Sequence, residues 1–204
     1  MNEYKTLAFY YDLLLGPFLW TMRAAVTKAA LTLHPENAVD LCCGTGRQLK
    51  ILKRNGIQNV TGVDLSDEML NIARKGTMAP VCIASDASVT GIEPASVDLV
   101  LINLALHEKS RVDALRVLKE AFRILKPGAS LIIGDYNTDS GIPFFPRRVI
   151  TFIEFLAGGE HYTNYLKYLS YGGLPVLMKD TGFTLTDRQN AGFKGLSIEI
   201  YLKQ

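Results

Sequence analysis

The 204-residue sequence lacks the features that mark several large classes of protein. No apolar run approaches the roughly 20 residues that a membrane-spanning helix needs. The 22 basic and 20 acidic residues leave a formal net charge of +2, which gives no electrostatic indication of a nucleic-acid partner. The first residues do not form the cationic and apolar pattern of a signal peptide. We therefore expect a cytoplasmic protein that does not bind nucleic acid.

Cysteine is also scarce, with Cys42, Cys43 and Cys82 only. Two of them are adjacent in one predicted strand and the third lies in another, so they do not make a disulfide framework. The two-pair cysteine spacing of a zinc site is absent as well. We interpret the three thiols as small buried side chains in a reducing compartment, and we expect no metal site.

The composition, 48% apolar and 21% charged, is that of a globular protein with one substantial core. Apolar strands alternate with amphipathic helices in the central part of the chain, which predicts a parallel sheet covered on both faces. The predicted strands lie at 39–43, 60–64, 81–85, 97–103, 130–135, 183–187 and 196–202. We expect a single domain, 1–204, composed of an N-terminal helical cap at 1–35, a binding core at 36–136, a cap insertion at 137–180 and closing strands at 181–204.

The most informative segment is Asp40-Leu-Cys-Cys-Gly44-Thr-Gly46 at the end of the first strand. Its two glycines allow a sharp turn and a close approach of the backbone to a ligand, because no side chain intervenes. Asp64 ends the second strand, where a carboxylate can accept hydrogen bonds from both hydroxyls of a ribose. The segment and Asp64 together predict a site for an adenosine.

The charge near the turn discriminates between adenosine ligands. A dinucleotide fingerprint has a third glycine, and Leu49 occupies that position here. Asp40 would repel a pyrophosphate but would attract a ligand that carries an ammonium or a sulfonium. A nicotinamide-dependent oxidoreductase is therefore disfavoured and stays an alternative. It is also open that Asp40 only satisfies backbone amides.

With this acid ahead of a Gly-x-Gly turn, the chain resembles the class I S-adenosylmethionine-dependent methyltransferases. The resemblance implies an α/β fold with a Rossmann-like, mostly parallel seven-stranded sheet, helices on both faces and an antiparallel last strand. It implies S-adenosyl-L-methionine as cofactor and S-adenosyl-L-homocysteine as product. Two outer segments, Tyr10-Tyr11-Asp12 and 159–175, are similar to the ubiquinone/menaquinone C-methyltransferases and to small-molecule or lipid methyltransferases.

The resemblance also implies roles for residues at the strand ends. Asp86 would accept a hydrogen bond from the adenine amino group while the amide of Ala87 faces a ring nitrogen, although an acid here can equally be a turn residue. Met69 would lie against the adenine or belong to the core. The full set of expected cofactor-binding residues is Tyr11, Asp40, Cys42, Gly44, Gly46, Asp64, Leu65, Met69, Asp86, Ala87, Asn103 and Leu104.

The segment after the fourth strand is where an acceptor would meet the methyl group. Enzymes that methylate DNA bases or glutamine amides carry Asp/Asn-Pro-Pro-Tyr/Phe there, whereas Leu-Ala-Leu follows Asn103 in this chain. His107 is the histidine nearest to this point and is our predicted general base, with Tyr11 and His161 as alternatives. A locally hydrogen-bonded residue at a helix entry is the other reading of His107.

The apolar cap indicates the class of acceptor. Pro143–Arg148 and the apolar segment 149–156 predict the lining of a hydrophobic acceptor pocket, or a peripheral contact with a membrane surface. It is also open that the segment is a helix buried against the N-terminal helices, with its arginines in solvent. We expect an S-adenosylmethionine-dependent methyltransferase whose partner is a small, apolar or aromatic molecule that resembles a quinone, a phenol or a lipid. The alternative is a protein that binds S-adenosylmethionine without catalysis.

Overall fold

The computed structural model describes residues 16–138, 148, 150, 151, 154, 155, 158–191 and 194–204. Tyr11, the predicted helix at 4–15 and most of the segment 143–156 lie outside these residues. The strands are β1 Asn37–Leu41, β2 Asn59–Asp64, β3 Val81–Ala84, β4 Val97–Asn103, β5 Leu125–Tyr136, β6 Phe183–Ala191 and β7 Leu196–Lys203. The helices are α1 Gly16–Thr32, α2 Arg47–Arg54, α3 Asp67–Ala73, α4 Arg111–Ile124, α5 Gly159–Ser170 and α6 Leu174–Leu177.

The seven strands form one sheet in the order β3-β2-β1-β4-β5-β7-β6. Strands β1 to β5 pair with one another in parallel, and β7 is antiparallel to both β5 and β6. Because β-α-β crossovers are right-handed and the strand order reverses between β1 and β4, α2 and α3 cover one face of the sheet and α4 covers the other. The predicted fold class is confirmed.

Two serines begin helices as their sequence context predicts. The Ser66 hydroxyl accepts a hydrogen bond from the N–H of Met69 at 3.3 Å and caps α3. The Ser110 hydroxyl accepts from the N–H of Asp113 at 3.2 Å and caps α4. Each capped helix follows a loop that leaves the carboxyl end of a strand, β2 or β4, so each cap fixes the far end of a loop that borders this edge.

Strand β5 is longer than its sequence indicates. It begins at Leu125 instead of Ser130, because Leu125 pairs with Val97 before the register shifts and Ser130 pairs with Leu99. The four residues between them bulge out of the ladder, with Gly128 at a φ of +74°. A Lys-Pro-Gly turn that would usually end a helix is thus contained within an irregular strand.

Within the residues that the structure describes, no helix combines the length and the apolar character required to cross a membrane.

Candidate active site

The carboxyl ends of β1, β2, β3 and β4 meet along one edge of the sheet, where the strand order reverses between β1 and β4. Open α/β sheets bind their ligands at such a reversal. The topology gathers eleven of the twelve predicted cofactor-binding residues at this edge, and the twelfth, Tyr11, is outside the described residues. From β1 to β4 they are Asp40, Cys42, Gly44, Gly46, Asp64, Leu65, Met69, Asp86, Ala87, Asn103 and Leu104.

The two glycines of the turn after β1 have different local surroundings. Gly44 has a φ of +53°, and a Cβ placed on it would meet nothing within 4 Å. Gly46 has a φ of +65°, and its Cβ would come within 2.9 Å of the Cβ of Ala73 in α3. Gly44 therefore borders open space, whereas Gly46 lets the start of α2 pack against α3.

Asp64 is fixed at the tip of β2 by two backbone amides. Its Oδ2 accepts from the N–H of Gly44 at 2.7 Å, and its Oδ1 accepts from the N–H of Ser66 at 2.9 Å. Each carboxylate oxygen retains a second lone pair, so the group can still accept two hydroxyl donors. Leu65 beside it is 77% exposed and offers an apolar surface at the same edge.

Asp40 is buried at the reversal point, with 2% of its surface exposed. Its Oδ1 has no hydrogen-bond partner, and neither has the side-chain amide of Asn103 on the adjacent strand. Burial, and then the negative charge of Asp64, raise the pKa of Asp40 to about 8, against the opposing effects of Asn103 and Arg23. A buried acid with an unused oxygen is a place where a cationic ligand would stabilise the ionised form.

Asp86 is engaged by its own turn after β3. Its Oδ1 accepts from the N–H of Ser88 at 2.8 Å, and hydrogen bonds from Ser88 hold the pKa of the exposed Asp86 carboxyl below its ordinary value. Ala87 next to it is buried. Within the protein, Asp86 therefore acts as a turn residue. The hydrogen bond from adenine to Asp86 stays a prediction.

Two residues at the edge have strained backbones. Cys42 has a φ of +63° and Leu104 a φ of +51°, in the left-handed region that side chains disfavour. Such conformations cost on the order of 1–3 kcal/mol and cluster at functional sites. Hydrogen bonds hold the chain on both strands, from the N–H of Cys43 to the carbonyl of Val63 at 3.0 Å and from the N–H of Leu104 to the carbonyl of Gly134 at 2.7 Å.

His107 is completely buried against an acid from β5. Its Nδ1 lies 2.6 Å from Asp135 Oδ1, and Asp135 Oδ2 accepts from the N–H groups of Leu106 at 3.1 Å and of His107 at 3.3 Å. Burial by itself would lower the pKa of His107, but the charge of Asp135 and the hydrogen bond to it raise the pKa well above its ordinary value. This arrangement therefore favours the protonated imidazole over the neutral one.

The other ring nitrogen of His107 faces a second acid. Its Nε2 has no hydrogen bond and lies 3.6 Å from Glu154 Oε1, which accepts a 2.7 Å hydrogen bond from the hydroxyl of Tyr136. The rings of Tyr136, Tyr165 and Tyr168 surround the imidazole at centroid distances of 4.3, 6.3 and 6.3 Å. Proton abstraction by His107 would require both loss of its proton and displacement of Glu154, so its role as general base stays a prediction.

The alternative base, His161, lies on the first turn of α5 and is partly exposed. Its Nδ1 is 3.6 Å from Glu108 Oε2, and the proximity of this carboxylate raises the pKa of His161. Glu108 Oε1 is in turn 3.8 Å from His107 Nε2. The two candidate histidines are therefore linked through one carboxylate.

The residues around His107 are the part of this site that the sequence did not reveal. Asp135 carries a recognisable signal, since it is an acid in the apolar run of β5, as Asp40 is in β1. Glu154 is the single acid in the apolar segment 149–157, which also marks it. Tyr136, Tyr165 and Tyr168 carry no such signal, because tyrosines on a helix face or strand end usually belong to the core.

Comparisons with known proteins agree with this geometry. Residues 39–133 match the family described as "Methyltransferase domain". A demethylmenaquinone methyltransferase from Thermotoga maritima is 28% identical over 204 residues, which covers 91% of this chain and 88% of that protein. Further demethylmenaquinone methyltransferases match over about half of their own length.

Solved structures show the same fold. A methyltransferase from Thermotoga maritima, described as a possible histamine N-methyltransferase, superimposes with a TM-score of 0.70 at 23% identity, over 100% of this chain and 98% of that one. The plantazolicin methyltransferase BpumL, solved with S-adenosyl-L-homocysteine, gives a TM-score of 0.70 at 16% identity, over 98% of this chain and 90% of that one.

Residues 39–133 carry a methyltransferase domain, and the chain has the fold of the class I S-adenosylmethionine-dependent methyltransferases. Its cofactor is S-adenosyl-L-methionine, and the nicotinamide alternative is dropped. The edge residues of this methyltransferase fit that cofactor on two observations: Asp40 has a buried oxygen without a partner, and open space lies over Gly44. The sulfonium and the ammonium of the cofactor supply a positive charge for the unpartnered oxygen of Asp40. The open space over Gly44 leaves room for a ligand against the backbone.

Proposed function

We propose that this methyltransferase acts on a small aromatic acceptor that bears a hydroxyl, of the quinol or phenol type. The observation that carries the proposal is the likeness to a demethylmenaquinone methyltransferase over 91% of the chain. That length extends beyond the cofactor-binding half and takes in elements of the cap. Tyr165 and Tyr168 of α5 are buried there and turn their aromatic rings toward His107.

We also propose that the edge of β1 to β4 holds the cofactor, which supplies an electrophilic methyl group on a sulfonium. Asp40 would provide the opposite charge, and Asp64 would accept hydrogen bonds from the ribose hydroxyls. Leu65 and Met69 would form an apolar wall for the adenine, with Asp86 and Ala87 at its rim. The remaining members of the proposed set, with Tyr11 from the cap, are Cys42, Gly44, Gly46, Asn103 and Leu104.

The buried His107–Asp135 pair has a defined task in this proposal. Asp135 fixes the imidazole and the backbone of Leu106 and His107 at once, so it positions the segment that follows β4. An acceptor that loses a proton during methylation needs a base. His107 would serve in its neutral form, after Glu154 has taken the Nε2 proton and moved away from that nitrogen, and acceptor binding between the cap and the sheet would provide that movement.

Methyl transfer from isotopically labelled S-adenosylmethionine tests the acceptor class. The acceptors are a demethylated naphthoquinol with a short side chain and histamine, which stands for the amine class. We expect a labelled methyl group on a ring carbon or hydroxyl of the naphthoquinol, located by mass spectrometry, and no labelled histamine. Asp40→Asn serves as the variant with impaired cofactor binding. Methylation of histamine without methylation of the naphthoquinol would refute the proposal.

A further inference from the structure

The neighbouring helices α1 and α2 form a surface with one sign of charge. Six of the 22 Lys and Arg residues lie in these two helices, and none of the 20 Asp and Glu residues does. Lys28, Arg47 and Arg54 are exposed. Lys50 and Lys53 are half-buried and donate to the carbonyls of Ile72 at 3.0 Å and of Ala79 at 2.9 Å. The chain as a whole is nearly neutral, so this face, which we call the basic face, concentrates its positive charge.

An apolar groove runs along the basic face between the two helices. Its volume is about 600 Å³, and Ala24, Leu31 and Ile51 contribute apolar surface to it. Trp20 also lines the groove and is 69% exposed, an unusual state for the largest apolar side chain. Lys28 and His34 border the groove, and none of the acidic residues that the structure describes lines it.

We propose that the basic face docks on the surface of an anionic lipid membrane, with Trp20 in the interface and lipid chains against the groove. Tryptophan prefers the boundary between head groups and acyl chains, because its ring is amphipathic. Lysine and arginine next to it are attracted by anionic head groups. Apolar side chains between basic ones suit a lipid surface better than a nucleic acid, whose backbone needs hydrogen-bond donors along its path.

The direction of α1 relates this surface to the active site. Met22, near the start of α1, lies close to Gly134 of β5, since a Cβ built on Gly134 would be 3.3 Å from Met22 Sδ. Gly134 pairs with Asn103 at the carboxyl edge of the sheet. The helix ends near the start of β1, so α1 runs antiparallel to the strand and its Trp20 end lies on the side of the active site. Docking would place this edge close to the bilayer. The proposal stands whether or not the acceptor is a quinol.

Trp20 allows a direct test because it is the only tryptophan in the chain. The wild-type protein is titrated with vesicles of phosphatidylglycerol and phosphatidylcholine, and separately with pure phosphatidylcholine. We expect the Trp20 emission to shift to shorter wavelength, and to be quenched by brominated acyl chains, with the anionic vesicles only. Salt should weaken the response, because it screens the attraction.

Charge reversal locates the surface. We expect the double variant with Lys28→Glu and Arg54→Glu to lose at least tenfold in vesicle affinity. Lys119→Glu, an exposed lysine of α4 on the opposite face of the sheet, should change the affinity less than twofold. No shift with anionic vesicles, or an equal loss in both variants, would overturn the proposal. The proposal would also be overturned if Trp20 responded to duplex DNA or RNA at a lower concentration than to anionic vesicles, which would indicate a nucleic-acid partner. An emission shift on raising the protein concentration without vesicles would indicate a second copy of the chain and would overturn it as well.

Discussion

Asp64 Oδ2 accepts a 2.7 Å hydrogen bond from the N–H of Gly44, which lies twenty residues earlier in the chain. The bond ties the tip of β2 to the turn after β1, so the two motifs of the proposed cofactor site form one structural unit. Asp64 Oδ1 is held at the same time by the N–H of Ser66. The carboxylate is therefore oriented before any ligand arrives, and the Asp64 side chain loses little entropy when a ligand uses its free lone pairs.

Replacement of Asp64 by alanine should weaken cofactor binding about 10–100-fold, because a hydrogen bond to a charged group contributes roughly 1.5–3 kcal/mol. The loss of the bond to Gly44 would also loosen the turn. Calorimetric titration with S-adenosyl-L-homocysteine measures the change. Asp67→Ala, three residues further along at the exposed start of α3, is the control. Equal affinities for the two variants would contradict the role that we propose for Asp64.

Alanine substitutions at the two glycines of the turn should affect cofactor affinity and the free energy of unfolding to different degrees. Gly44→Ala strains a φ of +53° and points a methyl group into open space, so we expect a loss of unfolding free energy near 1 kcal/mol and a clear loss of cofactor affinity. Gly46→Ala presses its Cβ against Ala73 at 2.9 Å, so it should destabilise the fold more strongly. Chemical denaturation and calorimetric titration of both variants measure the two effects. A larger loss of stability in Gly44→Ala would refute this division.

The clustering of the proposed cofactor residues at one edge was predictable because their sequence signals are local. Asp40, Gly44 and Asp64 each stand at the end of an apolar strand, and parallel strands bring such ends together whatever the rest of the fold does. Those positions follow from spacing along the chain alone. The start of β5 did not follow from it, because Lys126-Pro127-Gly128 has the local features of a helix end and the pairing of Leu125 with Val97 is a tertiary contact.

The surroundings of His107 were not predictable, because they too depend on tertiary contacts. Asp135 is 28 residues away and comes from a different strand, and Glu154 comes from the cap. Sequence spacing cannot show that both meet one imidazole. The prediction of His107 as a base therefore rested on its position after β4, without knowledge of the two carboxylates that now raise its pKa.

The ion pair of His107 with Asp135 should make stability depend on pH. Because the folded-state pKa of His107 is raised above 6.5, the stabilisation is fully present below pH 6.5 and is lost as the pH rises through the raised value. Asp135→Asn leaves a buried imidazolium without its partner and should cost about 3–5 kcal/mol at pH 6. Urea denaturation at several pH values measures the difference, which should shrink above pH 6.5. Asp113→Asn, on an exposed turn of α4, is the control, and a difference that is constant with pH would refute the assignment.

The raised pKa of Asp40 predicts a coupling between protons and the cofactor. In the free protein the carboxyl holds its proton up to a pKa of about 8, against 3.8 in the unfolded chain. The native state therefore binds more protons than the unfolded state in this window, and the contribution of Asp40 to stability falls as the pH rises from 4 through 8. In thermal unfolding from pH 4 to pH 8, the stability of the wild type should therefore fall more than that of Asp40→Asn, since the titration of His107 is common to both proteins.

A cationic ligand should reverse that preference, because it stabilises the carboxylate form of Asp40. Binding of S-adenosylmethionine below pH 8 then releases a proton, and the ratio of wild-type to Asp40→Asn affinity should rise up to tenfold per pH unit toward pH 8 and level off above it. Using the ratio removes the titration of the ligand itself, since both proteins meet the same ligand. Calorimetry in buffers of different ionisation enthalpy counts the released protons. If the ratio stays flat from pH 6 to pH 8, Asp40 does not face the positive charge, and the orphaned oxygen must be satisfied in another way.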